Sequence, residues 1–158
     1  MTRFITGALR LFAVSVVLLA MIAAPSFADY QRPETPMSLP GGTIIDAQEA
    51  QRILNAGGAF FFDLRSPFNY GKGHIPGAVS LPYKEDSQYS PEFDPSADKF
   101  DLNQLPAEKS ALIVFYSHGT NGWKAYKAAV LAIKSGYTSV KWLRSGFDGW
   151  AEAGHPIE

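Results

Sequence analysis

Ser117, His118, Gly119, Thr120, Asn121 and Gly122 follow the apolar run Ala111–Tyr116 and precede a helical pattern that starts at Trp123. A glycine-containing loop between a buried strand and a helix aims several backbone N–H groups inward. Such a loop is a cradle for an anion, reinforced by the helix dipole. An ordinary strand-to-helix turn needs the same glycines. A second chemistry is nucleophilic: Ser117 as attacking hydroxyl, which needs a base within hydrogen-bond reach. His118 is adjacent, and His74 lies in the Gly73–Ala78 turn, where bonding to backbone is its expected role. The sequence places no acid partner behind either. A third is metal binding by His74, His118 and His155. Their spacing matches no helical ligand pair and the chain has no cysteine, so neither a metal site nor a cofactor is expected. Lys124 either lends positive charge to the loop or sits solvated. Trp123, Trp142 and Trp150 read as core.

Positioning this loop takes a layered scaffold. Thr43–Ile45 reads as a short strand. Asp46 and Glu49 then form an Asp-x-x-Glu capping pattern, with Ala47, Ala50, Ile53 and Leu54 at helical spacing and Gly57-Gly58 as the stop. The runs Ala59–Leu64 and Ala111–Tyr116 are continuous and apolar, as buried parallel strands require. Ala78–Leu81 and Val140–Leu143 read as further strands. Trp123–Ser135 and Phe147–Ala153 read as helices. Residues 66–77 read as turns, and 83–108 as loop with one short helix. Strands alternating with helices predict an α/β fold: a parallel five-stranded sheet with helices on both faces.

The start of the chain reads as a targeting segment. Arg3 and Arg10 are the only charges in residues 1–28, and Leu11–Ala24 is uncharged. Pro25 follows, then Ser26 and Ala28 at the small-residue positions of a cleavage site. The apolar run is shorter than the roughly 20 residues of a membrane-spanning helix. The expectation is a signal peptide at 1–28, cleavage after Ala28, a periplasmic or secreted product and no stable membrane insertion. Residues 29–42, rich in Pro and Gly, are expected to form an extended, poorly packed arm, with the folded domain at 43–158. The 158 residues carry 14 Lys+Arg against 15 Asp+Glu, a balance without the basic excess of a nucleic-acid binder.

Four stretches resemble the rhodanese family. Asp63-Leu64-Arg65-Ser66 looks like its Asp-x-Arg segment, and Gly73-His74-Ile75-Pro76-Gly77-Ala78 like its most recognisable signature. Tyr116-Ser117 stands where the family strand leads into the catalytic cysteine. Gly136–Leu143, Gly146-Phe147, Trp150 and Gly154-His155-Pro156 resemble its C-terminal part. The resemblance implies a rhodanese-like fold and a loop that, in the family's enzymes, carries sulfane sulfur as a persulfide. It also implies that Asp63, Arg65 and His74 support the loop. Here Ser117 takes the cysteine's place, and Gly122 the place of the arginine that usually ends the loop. Trp123 and the longer loop resemble a narrower exported group with a Cys-x-x-Cys-Trp signature, associated with quinoprotein-dependent catabolism. Gly119 and Gly122 would stand at its two cysteines.

No catalytic residue is therefore expected, and no sulfurtransferase activity. The expected protein is a non-catalytic binding or accessory module. Residues 117–123 form a residual anion-binding loop, a small oxyanion is the ligand and a periplasmic protein the partner. The alternatives are a hydrolase using Ser117 and His118, or a sulfurtransferase-related accessory protein in sulfur or quinoprotein metabolism.

Overall fold

The computed structural model describes residues 32–158. The expected signal segment and its cleavage site lie outside them. Five strands form one sheet: β1 (Thr43–Ile45), β2 (Phe60–Asp63), β3 (Val79–Ser80), β4 (Ile113–Tyr116) and β5 (Val140–Leu143). Every pairing is parallel and the order is β1-β5-β4-β2-β3. The helices are α1 (Ala47–Ala56), α2 (Pro67–Gly71), α3 (Trp123–Lys134) and α4 (Gly146–Glu152). Among the described residues, no helix is long and apolar enough to cross a membrane.

Side chains alternate across the sheet, as pleating demands. Phe62, Phe115 and Trp142 face one side and pack with Trp123, Ala125, Tyr126 and Ala129 of α3. Phe61, Val114, Tyr116 and Leu143 face the other and pack with Ala50 and Ile53 of α1 and Trp150 of α4. Both faces are thus covered, which explains the unbroken apolar runs. Asp46 caps α1 by accepting from the Glu49 amide at 2.8 Å, as its sequence pattern predicts.

Three expectations are corrected. Residues 66–77 contain α2, opened by Ser66 as cap and Pro67 in the first turn. Pro67 was the legible signal, because its fixed φ suits a first helical turn. Residues 83–108 hold no α-helix, only two single 3₁₀ turns at Pro95–Ala97 and Leu102–Gln104. Most described residues of the N-terminal arm are exposed, yet the segment is tied down at a few points, which a poorly packed arm would not be. Thr35 and Leu39 are buried, the Trp123 indole donates to the Pro33 carbonyl at 2.8 Å, and Arg144 donates to the carbonyls of Thr35 and Pro36. Prolines keep this segment extended with its carbonyls open, and donors 90 to 109 residues away in sequence take them.

Candidate functional site

The connections after β2 and β4 leave the sheet in opposite directions, since β2 leads to β3 on one side and β4 to β5 on the other. Between two such strands a crevice opens beyond their carboxyl ends. Asp63 of β2 and Tyr116 of β4 are register partners at that end, so residues 64–66 and 117–122 meet there.

Asp63 and Arg65 form a buried pair beneath the crevice. Arg65 Nη2 lies 2.6 Å from Asp63 Oδ2, its Nε and amide bond the same carboxylate, and Nη2 also donates to the Gly73 carbonyl at 2.7 Å. The guanidinium stacks over Phe147 of α4, 4.0 Å from its ring centre. One cation thereby joins β2, the 73–78 turn and α4. The Tyr116 phenol accepts from the Ile75 amide. Burial and the nearby Asp63 carboxylate push its pKa far above the usual value, so it stays protonated. His74 is not brought to the loop. It stacks on Tyr70 at 3.7 Å, bonds the Tyr70 carbonyl, and pairs its backbone with Glu158. Of the three expected loop supports, His74 instead anchors the C-terminal residues.

The loop is folded onto itself. The Ser117 hydroxyl donates to the Gly122 carbonyl at 2.9 Å, and Ser117 is 2% exposed. The Gly122 amide bonds the Gly119 carbonyl at 2.8 Å, and the Trp123 amide the Asn121 carbonyl at 3.1 Å. Those two amides do not converge on an open cradle, a correction forced by the loop's own carbonyls. The amides of His118, Gly119, Thr120 and Asn121 find no acceptor among the described residues. The Ser117 and His118 carbonyls accept from the amides of Phe147 and Asp148 at 2.8 Å each. That contact needs Gly146, which has φ +61° and where a Cβ would run into the Ser117–His118 backbone. Thr120 gives its carbonyl to the Thr35 amide at 2.9 Å.

Neither glycine has room for a cysteine without movement. A Cβ on Gly122 would collide with Ser117 Oγ and come within 2.8 Å of the Gly119 carbonyl. One on Gly119 would lie 3.0 Å from the Asp148 carboxylate. Ser117 also lacks a base, since its one side-chain hydrogen bond among the described residues goes to backbone. His118 Nε2 lies 3.4 Å from Asn69 Nδ2 of α2 instead. Partial desolvation and the charges of Arg65 and Lys124 hold the His118 pKa below its ordinary value, against the opposing pull of Asp148 and Asp63. Among the described residues, no side chain stands as base to the Ser117 hydroxyl. His155 packs against Trp150. Trp123 and Trp150 are buried and donate to the carbonyls of Pro33 and Pro156.

Above the loop lies a cleft of about 230 Å³ lined by Arg32, Ser117, His118, Asn121, Gly122 and Lys124. Arg32 was invisible to sequence reasoning, because it sits in a segment read as a loose arm. Asn69 was hidden in the same way by the turn reading of 66–77.

Residues 46–153 match the rhodanese-like domain family, and the chain belongs to it. A sulfurtransferase of Allochromatium vinosum is 26% identical over 114 residues, which is 72% of this chain and 92% of that protein. A relative from Synechococcus elongatus is 26% identical over 153 residues; the match covers 93% of this chain but only 47% of that longer protein. Among solved structures, an Anabaena sp. protein superposes with a TM-score of 0.54 at 26% identity, covering 72% of this chain and 79% of the other. Rhodanese-like solved structures thus share the fold, and this member has no cysteine anywhere in its sequence.

Proposed function

We propose that this chain is a non-catalytic binding or accessory module of the rhodanese-like family. On this reading it is exported by residues 1–28 to the periplasm or beyond, and it holds a small oxyanion in the cleft above residues 117–123. The observation that carries the reading is Ser117, whose hydroxyl is buried and turned onto the Gly122 carbonyl. Sulfur transfer through a persulfide requires a thiol, and the chain has none. What remains is a cleft with two cationic side chains, whose lining residues His118 and Asn121 have amides without an acceptor among the described residues. Without an arginine inside the loop to clamp the anion in bidentate fashion, affinity is expected in the millimolar range, on the order of 4 kcal/mol.

Two measurements test this reading. The protein without residues 1–28, incubated with thiosulfate and cyanide, should form no thiocyanate above buffer background. Turnover that disappears in Ser117→Ala would overturn the non-catalytic assignment. Amide chemical shifts during a sulfate titration at constant ionic strength should change saturably at residues 117–124. Shifts spread evenly over the surface would remove the binding role.

A further inference from the structure

Helix α3 carries an ammonium where an apolar residue would be expected. Lys127 is 0% exposed. Its Nζ donates to Ser87 Oγ at 2.8 Å and lies 3.6 Å from Asp98 and 3.7 Å from Glu85. The rings of Tyr89 and Phe93 wall it in at 5.5 and 5.4 Å. The side chains of Glu85 and Asp98 are 4% and 1% exposed. One buried cation therefore faces two buried carboxylates, which leaves one negative charge over. Arg32 supplies the balance, with Nη1 2.7 Å from Glu85 Oε1. An uncompensated buried charge is costly, so the network draws the guanidinium to this place.

That place is the rim of the cleft. Arg32 spends one of its five N–H donors on Glu85, and its Cζ lies 5.0 Å from the Tyr89 ring centre. A carboxylate and a ring thus fix the group while most of its fork stays open. Lys124, on the same cleft, has no carboxylate partner among the described residues. Among the described residues, no acid lines the cleft. Glu85 is bonded to Arg32, and Asp148 and Asp63 act on the cleft-lining His118 without lining the cleft themselves.

We propose that Arg32 is the anion-binding guanidinium of this protein, supplied from the N-terminal segment to a loop that has Gly122 in place of an arginine, and that Glu85 is its positioning residue. Two cations on one small cleft, of which Arg32 is the fixed one, select a doubly charged tetrahedral oxyanion such as sulfate or thiosulfate over singly charged anions. This inference rests on the anion-binding reading above and names the group responsible for it.

The experiment follows the 117–124 amides during sulfate titration of the wild type, Arg32→Gln, Arg32→Lys and Glu85→Gln, at constant ionic strength. Arg32→Gln should weaken sulfate about tenfold or more, since a charge-assisted pair is lost. Arg32→Lys should fall between the two, keeping the charge and losing the fork. Glu85→Gln separates positioning from bulk charge. Removing an acid near the cleft strengthens anion binding if only net charge matters, and weakens it if Glu85 holds Arg32 in place. Weaker binding is the expected result. Unchanged sulfate affinity in Arg32→Gln would overturn the Arg32 assignment and leave the anion-binding reading standing. Absence of saturable shifts in the wild type would overturn both. Should Glu85→Gln fail to fold, the two Arg32 variants still decide the matter.

Discussion

Two loops meet helix α3, and they are held in opposite ways. The loop at 117–122 enters the helix at its start. It has no charged side chain, and its folding rests on one hydroxyl and backbone bonds. The loop at 84–99 crosses the middle of the helix. It closes on itself through an antiparallel bridge between Lys84 and Lys99 and is pinned to α3 by buried charge. Asp98 is its hub, accepting from Tyr83, Ser87 and the Asp86 amide. The loop at the family's reactive position carries no charge of its own, while its neighbour brings buried carboxylates to a buried lysine of α3.

The sharpest way to break the comparison is Lys127→Ala. Two buried carboxylates would then share only Arg32, and stability should fall by about 3–5 kcal/mol. Urea unfolding measures it, and a loss under 1 kcal/mol would reduce the network to a solvated cluster. The same region should respond to acid. Burial pushes the Asp98 carboxyl up, but the hydrogen bonds from Tyr83, Ser87 and the Asp86 amide outweigh it and hold its pKa below the usual 3.8. Its stabilising contribution is therefore complete above that value and lost as pH falls through the lower folded one.

Gly122→Ala probes the loop at 117–122. The added Cβ must displace Ser117 Oγ or the Gly119 carbonyl, and overpacking of this kind should cost about 1–3 kcal/mol. An unchanged urea midpoint would mean that the loop is looser than its hydrogen bonds suggest. Ser117→Ala should cost less, about 1 kcal/mol, for one hydroxyl bond to backbone. A loss as large as that of Lys127→Ala would erase the contrast between the loops.

The smallest effect concerns His118. Its lowered pKa favours the neutral imidazole relative to an ordinary histidine. The charges acting on it are Arg65, Lys124, Asp148 and Asp63, with Asn69 as its polar contact. A bound dianion favours the protonated ring, so sulfate affinity should rise as pH falls through the His118 pKa. By reciprocity, sulfate should raise that pKa. Titrating the ring by NMR with and without sulfate checks this, and equal pKa values would place His118 outside the site.

The sheet and its order of elements were legible because buried parallel strands write themselves as apolar runs and glycines mark the stops. Ala59–Leu64 and Ala111–Tyr116 left little choice. The loop at 117–122 could be located for the same reason. Its interior could not, because whether an amide faces a cleft or a neighbouring carbonyl depends on dihedral angles that Gly-Thr-Asn-Gly leaves open. Lys127 carries a signal of its own in the sequence. A lysine set in Ala125-Tyr126-Lys127-Ala128-Ala129 lies on an apolar face, and a buried lysine demands acids from elsewhere. Glu85 and Asp98 stood in the one long polar stretch available. Arg32 had no such signal, since its role comes from Glu85, 53 residues away.

The N-terminal segment has a consequence for the order of folding. Thr43 pairs with Lys141, and the carbonyls of Pro33 and Pro36 wait for Trp123 and Arg144. During synthesis these first residues emerge with no partners and must wait for most of the chain. Closing loops of that length is an entropic cost met late, and pairings of such separation slow folding. Arg32 reaches the cleft only when this segment docks. Arg32 is thus among the last cleft-lining groups to arrive, together with the pairing of β1.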